Sequence, residues 1–253
     1  MRPSLMVVCL AAASAVVSGH SDLTRLDSAE TPSVVLQRAR AVIGGEAKLA
    51  AVKSLVMKGE IRTQNAWYRG EPDVRYLDAP LEVRVMMPDH YSWATQVGPS
   101  RRQLVVGFRG NVLLTGAPVP DGTADGPYLE HTNLAKLMLA LLLRTDTIVP
   151  LRLGSGGGAG STLQFVGPRS FTVYVDLDPS TRLPVRLRHQ VQMKTGGNQE
   201  VVWSFEDRQV VDGLNLPRRI LRSQNNTLRD TLTFETISVN APLTAADFKS
   251  PTE

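Results

Sequence analysis

The chain carries one cysteine in 253 residues, Cys9, and it lies within the first ten positions. A scaffold held by disulfides is therefore excluded, and stability must come from a packed core. Long apolar runs are missing too: no stretch approaches the roughly 20 residues that a membrane-crossing helix requires. The net charge is +4, and the densest basic pairs are Arg101-Arg102 and Arg218-Arg219. No clustered basic patch is present, so a nucleic-acid partner is not expected. Chemistry-bearing motifs are equally scarce. The histidines His20, His90, His131 and His189 stand far apart, with no His-Glu-x-x-His among them. No Gly-x-Ser-x-Gly elbow occurs. The glycine-rich stretch Gly154 to Ser161 is not followed by Gly-Lys-Ser/Thr, and reads as a linker or hairpin tip rather than a phosphate loop. Asp176 and Asp178 fall two apart, but Asp178-Pro179 is better explained as a turn opening than as a metal site. No metal, no cofactor and no catalytic set is expected.

The N-terminus has the layout of an export signal. Arg2 supplies the positive charge, Leu5 to Val17 the apolar stretch, and Val17-Ser18-Gly19 a small-residue cleavage site. This reading divides the chain into a signal peptide over 1–19, a polar flexible leader over 20–30 and a single domain over 31–253. It also places the protein in the periplasm. The composition, 42% hydrophobic and 21% charged, is that of an ordinary globular body.

Thr31 as N-cap, Pro32 at the first helical position and Gly44-Gly45 as the stop predict a helix, with Val35, Leu36, Ala39, Val42 and Ile43 on one face. A short turn over 46–52 follows. From Ser54 onward strand signals dominate. Leu81 to Met87 alternates apolar and charged residues, and Tyr91 to Thr95, Leu104 to Phe108 and Val112 to Leu114 continue the series. The second half reads as a meander: Thr162 to Val166, Phe171 to Leu177, Leu183 to Val191, Val201 to Phe205, Arg219 to Arg222 and Leu228 to Val239. Asp178 to Thr181, Gly196 to Asn198, Asp212-Gly213 and Asn225-Asn226 supply the turns. Short turns between successive strands imply antiparallel pairing. One sheet-dominated domain with two or three helices is the result.

The run Leu134 to Leu143 departs from this pattern, with Lys136 its single charge. A helix at a soluble surface keeps one polar face. This one is apolar nearly all round, so it either lies wholly within a core or faces a core on one side and a lipid-filled cavity on the other.

Several phrases together resemble the LolA/LolB-like superfamily of periplasmic lipoprotein carriers and lipoprotein-sorting proteins. They are Ala41 to Gly45, Val52 to Gly59, the strand–turn–strand unit Tyr174 to Arg186, Val211 to Pro217 and the ending Ile237 to Phe248. The resemblance implies a mainly β (α+β) fold: an open, curved antiparallel half-barrel with helices covering the concave mouth. It further implies a non-enzymatic carrier or binder of a lipid or lipid-modified protein, in transient contact with membrane or envelope machinery. The apolar helix then becomes a lid. Candidate cavity residues are Leu134, Met138, Leu141 and Leu142 from the lid, and Val83, Val85, Trp93, Val173 and Trp203 from the sheet. An envelope-assembly module of the same fold without cargo is the alternative, and a hydrolase or peptidase-accessory protein a third. The third would gain ground if Asp176, Asp178 and His189 shared a cleft.

Overall fold

The computed structural model describes residues 31–64, 76–88, 90–95, 134, 136–144, 151–154, 161–166, 172–192 and 197–248. The predicted signal and leader, His131, and the strands expected at 104–108 and 112–114 lie outside them.

Two short helices open the fold, α1 (Pro32–Ile43) and α2 (Glu46–Ala51). Thr31 is the N-cap of α1, Pro32 sits at its start, and the amides of Gly44 and Gly45 both close on the Arg40 carbonyl. Gly45 adopts φ 86°, the left-handed conformation that glycine takes without penalty. Val35, Ala39 and Ile43 form the buried stripe of α1. A third helix, α3, comprises residues 136–142, with Leu134 also helical.

The rest is strand: β1 (Ser54–Gln64), β2 (Tyr76–Met86), β3 (His90–Thr95), β4 (Leu151–Gly154), β5 (Thr162–Val166), β6 (Thr172–Leu177), β7 (Pro184–Gln192), β8 (Asn198–Val211), β9 (Leu214–Gln224) and β10 (Thr227–Val239). The ten strands form one sheet in the order β3-β2-β1-β10-β9-β8-β7-β6-β5-β4. Every neighbouring pair is antiparallel. The two outermost described strands, β3 and β4, do not pair with each other, so the described sheet is open.

Turn chemistry fixes the register of the second half. Asp212 and Gly213 have φ of 51° and 76°, and Asn225 and Asn226 have 47° and 60°. Both are two-residue turns with two left-handed residues, the form whose twist matches paired strands. In the β6–β7 connection the Asp178 carboxylate accepts from the Ser180 and Thr181 amides at 2.9 and 2.7 Å. A bulge interrupts β1 against β10 at Lys58/Gly59. There the backbones approach so closely that a Cβ on Gly59 would lie 1.9 Å from the Thr233 carbonyl oxygen.

Three strands run longer than their apolar patterns predict, β9 spanning Leu214–Gln224 rather than 219–222. β8 continues past Phe205 because the charges that follow pair across strands on the outer face, Glu206 with Arg219 at 3.3 Å. β2 begins at Tyr76, ahead of the alternating segment. β4 is four residues long, too short for a periodic signal.

One face of the sheet is apolar and buried across its width, with Leu55, Met57, Val83, Phe165, Leu187, Ile220 and Phe234 in one core. The other face carries charges, among them Lys58, Arg62, Glu82, Arg186 and Arg219. The buried face is the concave one: α1 touches β9 and also β4 and β5, at the far end of that half of the sheet. A flat sheet would hold those strands too far apart for one helix to reach.

Candidate functional site

The concave face is occupied by α3. Leu134, Leu137, Met138, Leu139, Ala140, Leu141, Leu142 and Leu143 are all buried, so the helix is enclosed on every side. Its C-terminal end is tied down twice. Arg40 of α1 donates from Nη1 to the Leu143 carbonyl at 3.0 Å, and Arg144 donates to the Val52 carbonyl. Leu143 itself has φ 47°. Left-handed backbone costs a branched residue roughly 1–2 kcal/mol, and helices usually place glycine there. Burial of the Leu143 side chain holds the strained end in place.

The other end of α3 carries an unusual burden. Lys136 is only 6% exposed. Its Nζ lies 3.1 Å from Nδ1 of His189, which projects from β7 onto the same face. Burial lowers the Lys136 ammonium to about 8. Burial first, and then the Lys136 charge, push the His189 imidazole down to about 3, so it is neutral at ordinary pH. An ammonium can only donate, so Nδ1 accepts and the proton of the neutral ring sits on Nε2.

A row of paired residues crosses the concave face beside this contact: Leu163, Val175, Leu187, Trp203, Arg222, Asp230 and Thr63. The first four are apolar and the last three are not. The Arg222 guanidinium stacks 5.4 Å from the Trp203 ring centre and donates from Nε to the Asp230 carboxylate. Thr63 donates its hydroxyl to the other carboxylate oxygen at 2.6 Å. Asp230 is 2% exposed, so this is a buried ion pair closed by a second hydrogen bond, from Thr63. Two buried atoms beside it have no hydrogen-bond partner among the described residues: Trp203 Nε1 and His189 Nε2. Native interiors rarely leave such groups unpaired.

The nine residues expected to line a cavity come together on this one surface. Leu134, Met138, Leu141, Leu142, Val83, Val85, Val173 and Trp203 belong to the buried core, and Trp93 packs against it half-buried. His189 lies on the buried face of β7, and Arg222, Asp230 and Thr63 were not among the residues the sequence pointed to. Lys136, the only charge in an apolar run, was the available signal. The carboxylate–histidine cluster that would favour an enzyme does not form. Asp176 pairs in register with Arg186 and projects to the outer face, opposite His189. Burial would raise its carboxyl, but hydrogen bonds from Arg188, Thr162 and Arg186 outweigh that and hold it low. Asp178 lies in the turn. Among the described residues no acidic, histidine or cysteine cluster could hold a metal, and no helix is long and apolar enough to cross a membrane.

The fold as a whole is similar to that of solved structures. A crystal structure of a LolA superfamily protein from Nitrosomonas europaea superposes with a TM-score of 0.51 at 14% identity, over 89% of this chain and 100% of that one. The fold is LolA-like. An outer membrane lipoprotein-sorting protein domain from Vibrio parahaemolyticus superposes at 0.48 with 11% identity, over 86% of this chain and 95% of its own. A DUF1329 family protein from Desulfovibrio piger gives 0.46 at 8% identity, over 88% and 99%. No protein-family model matches the sequence. No curated protein matches it either.

Proposed function

We propose that this chain is an exported, non-enzymatic carrier or binder of lipids or lipid-modified proteins, and that α3 is a displaceable lid over the concave face. In this reading residues 1–19 direct export to the periplasm, 20–30 form a leader, and 31–253 are the working domain. The observation that carries it is the buried Lys136 in a helix that is otherwise apolar all round. In a permanent core helix, burying that ammonium carries a desolvation cost at all times. A helix that leaves the concave face returns that charge to water each time.

The energies are balanced enough for reversible exchange. Seven large apolar side chains of residues 134–143 are buried, worth about 2 kcal/mol each, or roughly 14 kcal/mol together. Releasing Lys136 from a site that lowers it from 10.5 to about 8 returns about 3 kcal/mol. A sixteen-carbon acyl chain entering the vacated groove supplies roughly 12 kcal/mol, at about 0.8 kcal/mol per CH₂. The strained Leu143 end adds a further small push toward opening.

Native mass spectrometry of the protein purified gently from an exporting host, followed by organic extraction, tests this reading. A discrete co-purifying lipid is expected. A bare protein mass, with no uptake of added phospholipid or acyl peptide, favours the second reading, an envelope-assembly module of the same fold. The complete enclosure of α3 is the observation on that side.

A further inference from the structure

We infer that the outer face of the sheet docks on a bilayer by seating an ethanolamine phospholipid head, its phosphate on Arg218 and its primary ammonium on Glu60. This rests on the carrier reading above, because a carrier has to meet the membrane that gives or takes its cargo.

The seat is a groove of about 490 Å³ on the face away from the core. β10 is its floor, with β1 and β9 on either side. Thr231 and Thr233 line the floor, alternating with the buried Leu232 and Phe234. Thr233 is flanked in register by Glu60 on β1 and Arg219 on β9. Arg218, next to Arg219, is exposed and donates from Nε to the Phe234 carbonyl at 3.2 Å. Two strand spacings, about 10 Å, separate the backbones of the two walls.

The charges lining the groove balance, with Arg62, Arg218 and Arg219 against Glu60, Asp78 and Asp207. Four of the six are paired: Arg62 with Asp78 and Arg219 with Asp207, each at 3.7 Å. Glu60 and Arg218, on opposite walls, are left without an ion partner among the described residues. A ligand with net negative charge gains at Arg218 and loses at Glu60, and a net cation does the reverse. A zwitterion gains at both. Among phospholipid heads the ethanolamine one fits best. Its ammonium offers three N–H donors to the Glu60 carboxylate, where the quaternary nitrogen of choline offers none. Its phosphodiester suits a guanidinium. The ligand is a lipid because an apolar ring stands at the rim: Tyr76 is 42% exposed and lies 5.6 Å from the Arg62 guanidinium. Leu228, at the start of β10, is exposed as well. Tyrosine rings favour the headgroup level of a bilayer.

Co-sedimentation with sucrose-loaded vesicles tests the seat. The full protein is spun with phosphatidylcholine alone, or mixed in equal parts with phosphatidylethanolamine or phosphatidylglycerol. Partition onto the ethanolamine mixture should exceed that onto phosphatidylcholine by about fivefold or more, with no comparable gain from phosphatidylglycerol. Glu60→Gln should bring that ratio toward one. Arg218→Gln should weaken sedimentation with every vesicle, since all carry the phosphate. Both side chains are exposed, so both variants should melt like wild type. Equal partition onto the ethanolamine and choline vesicles, stronger partition onto phosphatidylglycerol, or an unchanged ratio in Glu60→Gln overturns the seat. Lipid recovered with protein in the supernatant reads the carrier function separately. Lipid there without selective sedimentation overturns the seat alone, and selective sedimentation without it overturns the carrier reading alone.

Discussion

Replacing Lys136 by methionine isolates the cost of burying a charge in α3. Burial lowers the wild-type ammonium from its ordinary 10.5 to about 8. At 1.36 kcal/mol per unit, keeping it protonated at pH 7 destabilises the closed state by about 3 kcal/mol. Methionine removes that penalty with a side chain of similar length. It also deletes the contact with His189 Nδ1 and leaves that nitrogen without its donor, a loss of about 1–3 kcal/mol. Lys136→Met is therefore expected to be as stable as wild type at pH 7, or up to about 2 kcal/mol more stable. The pH dependence is sharper. Between pH 8 and 10.5 the unfolded wild type still holds a proton that the folded protein has released, so wild-type stability rises with pH by about 3 kcal/mol. The variant lacks that rise. Urea denaturation followed by tryptophan fluorescence at pH 7 and pH 10.5 gives the difference between the two proteins directly. It should fall by about 3 kcal/mol and change sign. Parallel profiles for the two proteins would refute the buried-charge account.

Acid should act through His189. Its folded value near 3 lies below the ordinary 6.5, so the unfolded state takes up the extra proton and stability falls as pH drops from 6.5 toward 3. Thermal melts across that range should show the loss, and the double variant Lys136→Met, His189→Leu should show less of it. Gly59→Ala forces a Cβ against the Thr233 carbonyl oxygen at 1.9 Å, where no flexible side chain can give way. A destabilisation of at least about 2 kcal/mol is expected in urea midpoints, and a neutral result would contradict the close strand approach. Asp230→Ala leaves Arg222 without its buried carboxylate. About 3–5 kcal/mol should be lost on chemical denaturation, whereas exposed Asp78→Ala should change stability by less than about 1 kcal/mol.

What the sequence disclosed follows the range of the interactions involved. The caps of α1, the Asp178 turn and the two-residue turns at Asp212-Gly213 and Asn225-Asn226 are set by neighbouring residues, and each was legible. The alternation of Leu81 to Val85 marked the buried face of β2 for the same reason. The apolar run of α3 announced that both its sides needed cover, although only the structure shows the helix enclosed. The polar row was hidden. Arg222 and Asp230 look like outward charges in their strands. They face inward by alternation, Asp230 two residues before the buried Leu232 and Arg222 two residues after the buried Ile220. A lysine meeting a histidine 53 positions away leaves no local trace.

Hydrogen exchange of residues 134–143, with and without a saturating acyl ligand, tests the central claim most directly. Slow exchange is expected in the empty protein, as enclosure demands. On loading, these amides should become markedly faster while those of β7 to β10 stay protected. A ligand that binds with α3 protection unchanged, or that slows it further, would contradict the displaceable lid.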